Sequence, residues 1–161
     1  MNKIDSLNQV AEFHKTFNAP ILDNPKLPSE QRCELRVSLL QEELNELSQA
    51  IKDNNIVEIA DALCDLQYVL SGAVLEFGLG DKFVDLFDEV QRSNMTKACS
   101  TIEEAEDTIS FYKNREKEPA AGYWKEMNGK YIVLRKGDDK VLKSIKYSPA
   151  DIKGLLDEKR L

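Results

Sequence analysis

Two consecutive stretches of helical periodicity, residues 29–53 and 56–77, constrain the fold of this chain more than any other feature of its sequence. The first has neither glycine nor proline, and its apolar residues recur at intervals of three and four, the pattern of a helix with one buried face. Ser29 is suited to cap its start, and Asn54 with Asn55 interrupts the pattern. The sequence therefore predicts two long helices that pair through a tight turn.

Shorter patterns add further elements on both sides of this pair. Three more helices are predicted, at residues 5–17, 81–97 and 101–114. Thr101 and Glu104 have the spacing of a capping box at the start of the last helix. Beyond Pro119 two β-rich runs, 131–134 and 141–145, flank a Lys-Gly-Asp-Asp turn and predict a hairpin.

These elements define the expected fold class. The predicted architecture is all-α, a helical bundle with a small C-terminal β-hairpin appendage. We expect residues 1–114 to form the catalytic bundle, and residues 115–161 to form a basic hairpin and tail packed on it.

The charge of the chain restricts its partners. The net charge of −7 over 161 residues argues against a protein built to bind nucleic acid, which would carry an excess of lysine and arginine. The charge is uneven, because residues 1–112 have a net charge of −12 and residues 113–161 a net charge of +5. An acidic body is therefore expected to carry a basic tail.

Other compositional features narrow the class of protein. The three cysteines have no CxxC spacing and His14 is the only histidine, so neither a disulfide framework nor a zinc site is indicated. No apolar run approaches the ~20 residues that cross a bilayer, and the first residues do not resemble a signal segment. We expect a cytoplasmic protein with no membrane partner.

The first long helix places acidic residues among its apolar residues. With Glu42 at 0° on a helical wheel, Glu46 lies at about 40° and Glu43 at about 100°. The apolar residues of this helix span roughly 20° to 220°, and the uncharged polar residues occupy the opposite side. A solvated run of charges would lie on that opposite side, so Glu43 and Glu46 are predicted to have a function.

The second long helix has a matching acidic stripe. Glu58, Asp61 and Asp65 fall within about 60° of one another on a helix that is apolar almost all round. Gln67 and Ser71 are expected to mark its solvent side. Helix capping by Asn55 could explain Glu58, but it cannot explain the two aspartates that lie one and two turns deeper.

These carboxylates need a counter-charge, because buried like charges cost several kcal/mol each unless they are paired. Arg36 is the nearest basic residue on the same arc. A divalent cation compensates more negative charge than one arginine does. A site made only of carboxylates suits Mg²⁺, with Mn²⁺ as the second choice. Because Mg²⁺ usually binds phosphate together with one or two carboxylates, the predicted ligand is a phosphorylated small molecule.

A complementary basic group is expected on the helix of residues 81–97. Asn94 and Lys97 lie on the same side of the wheel as its apolar residues and are predicted to face the acidic site. A lysine near a helix C-terminus is also common as a partner of the helix dipole, so Lys97 alone would not indicate function. His14, on an apolar helix face, is interpreted as structural.

The acidic residues also resemble a known family. Glu42-Glu43-x-x-Glu46 followed by Glu58-x-x-Asp61 is similar to the EExxE and ExxD signature of the MazG-like, all-α nucleoside triphosphate pyrophosphohydrolases. The segments EVQRSNMTK at 89–97 and KVLKSIKYSPADIKGLL at 140–156 resemble the phosphoribosyl-ATP pyrophosphohydrolase-like branch.

The resemblance implies an Mg²⁺-dependent enzyme that cleaves a nucleoside triphosphate to the monophosphate and pyrophosphate, as in housecleaning of the nucleotide pool, and that forms a homodimer or homotetramer. It implies a role for each matching residue. Glu43, Glu46, Glu58 and Asp61 would be metal ligands, and Glu42 would bind another metal ion or orient and deprotonate water. The substrate would be bound by Asn94, Lys97, Lys140, Lys143 and Tyr147. The signature assigns no role to Asp65.

Two other hypotheses remain open at this point. A non-catalytic helical module could bind nucleotide or metal with the same residues and lack turnover. A helical interaction domain could instead pair its carboxylates with the basic surface of a partner.

Overall fold

The computed structural model describes residues 4–115 and 119–157. Its contacts group into two compact units, Met1–Phe83 and Val84–Leu161. The division lies at residue 83 rather than at the expected residue 114, so two of the predicted bundle helices group with the hairpin. The fold class itself is confirmed, because the described chain is mostly helical and has one small two-stranded sheet.

The first unit consists of three helices. They are α1 (Ser6–Thr16), α2 (Glu30–Lys52) and α3 (Ile56–Glu76). Both α1 and α2 pack on α3, and α2 does so along most of its length. The two long helices predicted from periodicity therefore exist and pair as expected.

Local signals explain where α2 and α3 begin. Ser29 precedes α2 in an extended conformation, although its side chain makes no capping hydrogen bond. Asn55 caps α3, because its Oδ1 accepts hydrogen bonds from the backbone N–H groups of Val57 at 3.1 Å and Glu58 at 3.4 Å. The turn between the two helices is short because adjacent residues end one helix and start the next: Asn54, with φ +51°, follows the end of α2, and Asn55 caps α3.

A Schellman motif ends α3. The N–H of Gly78 donates to the carbonyl of Leu75, and the N–H of Leu79 donates to that of Val74. Gly78 has φ +67°, and a Cβ at this position would lie 1.9 Å from the carbonyl oxygen of Asn24. Glycine is therefore required both by the turn and by the close approach of the preceding loop.

One side of α3 is covered in a way that the sequence did not indicate. Ser71, expected on the solvent side, is only 1% exposed. Its hydroxyl donates to the carbonyl of Gln67, and Gln67 Nε2 reaches Ser6 at the start of α1. The expectation was wrong because α1 lies on this polar side, where hydroxyl and amide groups satisfy one another.

The second unit combines helices with the hairpin. Its elements are α4 (Phe83–Met95), α5 (Ile102–Lys113), β1 (Gly122–Met127), β2 (Lys130–Arg135) and α6 (Ile152–Asp157). A short 3₁₀ turn, Gly80–Lys82, precedes α4. The core of this unit contains Cys99, Ala105, Val133 and Leu142, with Trp124 and Tyr131 packed against it. The capping box is confirmed at its first position, since Thr101 Oγ1 accepts from the N–H of Glu104.

The hairpin differs from the predicted one in its pairing. β2 includes the predicted run 131–134, but its partner is β1, joined through Asn128 and Gly129. Both turn residues have positive φ, 51° and 71°, as the two-residue hairpin turn requires. Val141 forms only a single bridge with Leu134, so the predicted strand 141–145 is wrong.

Candidate functional site

Glu43 is the centre of the acidic residues on α2 and α3. Its side chain is half-buried, and Oε2 is enclosed without a hydrogen-bond partner among the described residues. Burial raises the pKa of this carboxyl above its ordinary value, and the neighbouring charges raise it further; these are Glu46, Asp65, Glu42 and Asp61. Glu43 therefore lies close to carboxylates from both long helices.

This set differs from the predicted metal ligands at one position on α3. Asp65 acts on Glu43 more strongly than Asp61 does, whereas Glu58 is not among these leading charges. Glu58 lies exposed at the first turn of α3, next to its cap Asn55. Three of the four predicted ligands, Glu43, Glu46 and Asp61, therefore interact electrostatically, and so does Asp65, to which the signature assigned no role.

The donor chemistry of this group fits a hard divalent cation. Every side chain in it offers carboxylate oxygen, and Glu43 Oε2 is a buried acceptor that lacks a donor. Within residues 4–115 and 119–157, however, no three acidic, histidine or cysteine side chains converge in a geometry that would hold a metal ion. Convergence of these carboxylates on one cation stays a prediction.

Glu42 lies at the edge of this group. It is exposed, and it adds to the negative potential at Glu43. It also lines an open groove of about 750 Å³ along α2, together with Val37, Gln41 and Asn45. Its carboxylate is thus accessible to water, as a general base must be.

A second cluster of charges lies deep in the first unit. Glu76 is completely buried, and it accepts hydrogen bonds from Arg32 Nε at 2.9 Å and Arg36 Nε at 2.6 Å. Burial alone would raise the pKa of Glu76, but the two guanidinium groups outweigh burial and lower the pKa. Arg36, the nearest basic residue on the arc of the acidic residues, is thus paired with Glu76.

His14 belongs to this buried cluster. It is 3% exposed, its Nδ1 is 2.8 Å from the carbonyl oxygen of Pro20, and its Nε2 is 3.4 Å from Arg36. The structural interpretation of His14 agrees with this placement. Sequence reasoning missed the cluster because Glu76 is separated from Arg32 and Arg36 by about forty positions, and no local pattern connects them.

In the second unit, three of the predicted substrate-binding residues come together. Lys143 Nζ lies 4.3 Å from the ring centre of Tyr147, and both Lys143 and Lys97 act electrostatically on the Tyr147 hydroxyl. A hydrogen bond from Ser93 is the largest of the influences that lower the pKa of Tyr147. This group is positively charged and includes a phenol, a combination that suits phosphate oxygens.

The other two predicted substrate-binding residues lie elsewhere in that unit. Asn94 is exposed near the end of α4. Lys140 is exposed in the turn after β2, where its N–H approaches Asp138 at 3.3 Å. Neither is brought to Tyr147 by a described contact.

The segment that carries Lys143 and Tyr147 is held in place by α4 and α5. Glu104, which is buried, accepts hydrogen bonds from the Ser144 hydroxyl and from the N–H of Ser100. Thr108 Oγ1 accepts from the N–H of Ile145 at 3.2 Å. The basic segment is therefore positioned by buried polar contacts rather than by charge alone.

Fold and site together define the class of protein. Two long helices, α2 and α3, carry the EExxE and ExxD carboxylates, and one of these, Glu43, has a buried oxygen without a hydrogen-bond partner among the described residues. The family model described as phosphoribosyl-ATP pyrophosphohydrolase matches residues 10–94, which is more than half of the chain, and the chain belongs to this family. The family is described by an enzyme, phosphoribosyl-ATP pyrophosphohydrolase, whose name denotes hydrolysis of a phosphoanhydride bond.

The chain is also similar to part of a viral protein. An uncharacterized protein of Acanthamoeba polyphaga mimivirus is 37% identical over 86 residues, which cover 48% of this chain and 32% of the relative. The match thus spans about a third of the length of that protein. The family match ends at Asn94, so Lys97 and the predicted substrate-binding residues of the tail lie outside it.

Proposed function

We propose that this protein is an Mg²⁺-dependent nucleoside triphosphate pyrophosphohydrolase that cleaves ribo- or deoxyribonucleoside triphosphates to the monophosphate and pyrophosphate. Removal of unwanted nucleotides from the cellular pool is the proposed role. The observation that carries the proposal is Glu43, with an enclosed and unpartnered oxygen among carboxylates of α2 and α3. An unpaired buried acceptor is costly unless a donor or a cation compensates it.

Glu43, Glu46, Glu58 and Asp61 are the proposed metal ligands, and the electrostatic influence of Glu46 and Asp61 on Glu43 supports the first, second and fourth of them. We add Asp65, because its charge acts on Glu43. Bound Mg²⁺ would neutralise charge on the phosphate oxygens and make the phosphorus more electrophilic.

The protein's own residues would carry the remaining steps. Water adds to a phosphorus of the α–β phosphoanhydride, the bond to the departing pyrophosphate breaks, and Glu42 accepts the proton of the attacking water. Lys97, Lys143 and Tyr147 are proposed to bind phosphate oxygens through charge-assisted hydrogen bonds. Asn94 and Lys140 remain predicted substrate contacts.

Pyrophosphate release from a panel of canonical and modified nucleotides, with phosphoribosyl-ATP included and with Mg²⁺ or Mn²⁺ present, tests this function. Glu46→Ala, Asp61→Ala and Asp65→Ala should each abolish turnover and leave the circular dichroism spectrum unchanged. Glu12→Ala is the matched control, because Glu12 is an exposed carboxylate on α1. Full activity of the three variants would refute the ligand assignment.

The same preparations distinguish the non-catalytic alternative. Calorimetric binding of a nucleotide with Mg²⁺, without any pyrophosphate release across the panel, would identify a binding module. If neither binding nor a change in melting temperature occurs, the helical interaction domain becomes the better description.

We also propose that copies of this chain associate as a homodimer or homotetramer. Val37, Leu44 and Ile51 form a stripe at heptad spacing on α2 and are 68%, 50% and 56% exposed. An apolar helix stripe in water is typical of an interface between helices. Leu44→Glu should lower the mass measured by light scattering, whereas Ser48→Glu, on the polar side, should not; an unchanged mass for Leu44→Glu would contradict this interface.

A further inference from the structure

A cavity of about 450 Å³ lies between α1 and α3 in the first unit. Val10, Leu63 and the ring of Tyr68 form its apolar walls. Phe13 meets Tyr68 edge to face with ring centres 5.7 Å apart, which supports the tyrosine ring from outside. Cavities of this size and composition commonly bind small molecules in proteins.

Polar groups in the same cavity are amides and a hydroxyl, not charges. Gln67 Nε2 donates to Ser6 Oγ at 3.3 Å and to Ser71 Oγ at 3.0 Å, so the orientation of this amide is fixed before any ligand binds. Gln9 lies on the opposite wall, and no other described residue engages its side-chain amide. Amides both donate and accept, as the edge of a nucleobase does.

The cavity borders the acidic site through α3. Cys64 lines the cavity and is adjacent to Asp65 in the sequence. Asp61 lies one helical turn before Asp65, on the same side of α3. Along the axis of α3, Asp61 and Tyr68 are separated by about 10 Å. This displacement leaves room for a sugar between a base at Tyr68 and phosphates at the carboxylates.

We propose that this cavity is the nucleobase site of the enzyme. The base would stack against Tyr68 and be read by Gln9 and Gln67, so that these two glutamines determine base preference. The inference rests on the proposed function for the direction in which the phosphates lie, but binding of the base itself requires neither metal nor hydrolysis.

Alkylation of Cys64 provides a test that is independent of turnover. The native chain is treated with N-ethylmaleimide in EDTA, and modification at each cysteine is read by peptide mass spectrometry. Free nucleosides, which lack phosphate, are added as probes. Because Cys64 lies in the cavity, a bound nucleoside should block its alkylation. The rate of alkylation should fall to half when the nucleoside concentration equals its dissociation constant, and it should fall further as occupancy rises.

Internal and variant controls sharpen the result. Cys33 lines the separate groove on α2 and should react at an unchanged rate. Ribose alone should not protect Cys64, and Gln9→Ala should weaken protection and change the ratio of kcat/KM between bases. Gln31→Ala, an exposed glutamine on α2, is the matched control.

The outcomes separate this inference from the proposed function. Nucleoside protection without pyrophosphate release would support the base site and refute the hydrolase. Hydrolysis without protection by any nucleoside, or protection that Gln9→Ala leaves intact with unchanged base preference, would overturn the base site.

Discussion

Replacement of Glu76 by glutamine removes a buried negative charge and turns one of the two oxygens that accept from Arg32 and Arg36 into an amide nitrogen, which cannot accept. Glu76 has no exposed surface, and Arg36, which donates to it at 2.6 Å, is 7% exposed. Arg32 contributes the second hydrogen bond at 2.9 Å. The variant keeps the shape of the side chain, so the change isolates the charge.

The expected cost follows from the number and burial of these contacts. Hydrogen bonds that involve a charged group contribute about 1.5–3 kcal/mol each, and removal of one partner from a buried ion pair costs about 3–5 kcal/mol. We therefore expect Glu76→Gln to lower the free energy of unfolding by about 3–5 kcal/mol. For a chain of this length this corresponds to a fall in melting temperature of roughly 6–20 °C.

Urea unfolding followed by circular dichroism measures this change. The pKa of Glu76 is lower in the folded protein than its ordinary value of 4.5, so its ionisation stabilises the fold above pH 4.5 and this stability is lost as pH falls through the folded pKa. In Glu76→Gln the free energy of unfolding should therefore fall less steeply as the pH is lowered below 4.5. Glu89→Gln, at an exposed pair with Arg92, should change stability far less; equal losses for both variants would refute the reasoning.

Three further changes have defined outcomes. Glu43→Gln should weaken Mn²⁺ binding at least about tenfold in calorimetry, a loss of about 1.4 kcal/mol or more. It should also slightly raise the melting temperature of the metal-free protein, because burial and then the neighbouring charges raise the pKa of Glu43 and so disfavour its ionised form. Asn55→Ala should lower the free energy of unfolding, measured in urea, by about 1 kcal/mol, since it removes the cap of α3. Asn55→Asp should retain most of the stabilisation that the cap provides. Gly72→Ala should destabilise by about 1–3 kcal/mol despite the better helix propensity of alanine, because the new Cβ would lie 2.7 Å from Arg36 Nη1; a gain in stability would contradict this packing.

Helices α1 to α5 were predictable because their signals are local, whereas α6 was not predicted. Apolar spacing, the Asn54-Asn55 interruption and the Thr101 cap each act within one or two turns. Predicted and observed ends of α2 and α3 differ by one residue or less. The Asn128-Gly129 turn carried an equally local signal, and attention to it would have placed the hairpin correctly.

The candidate site was predictable in part, for a physical reason. A helical wheel states which residues share a face, and it therefore identified Glu43 and Glu46 on α2 and the stripe on α3. A wheel does not state which turn of one helix lies beside which turn of the next. That register decides that Asp65 acts strongly on Glu43 while Glu58 remains exposed at the start of α3.

By itself the sequence determined the helices, the acidic faces and the family, because periodicity and short signatures depend only on neighbours along the chain. Tertiary structure alone decided that Arg36 neutralises Glu76, that Ser71 is buried beneath α1, and that a cavity lies between α1 and α3. These outcomes depend on packing between residues far apart in sequence, where the alternative partners are chemically equivalent and only the geometry of the assembled helices distinguishes them.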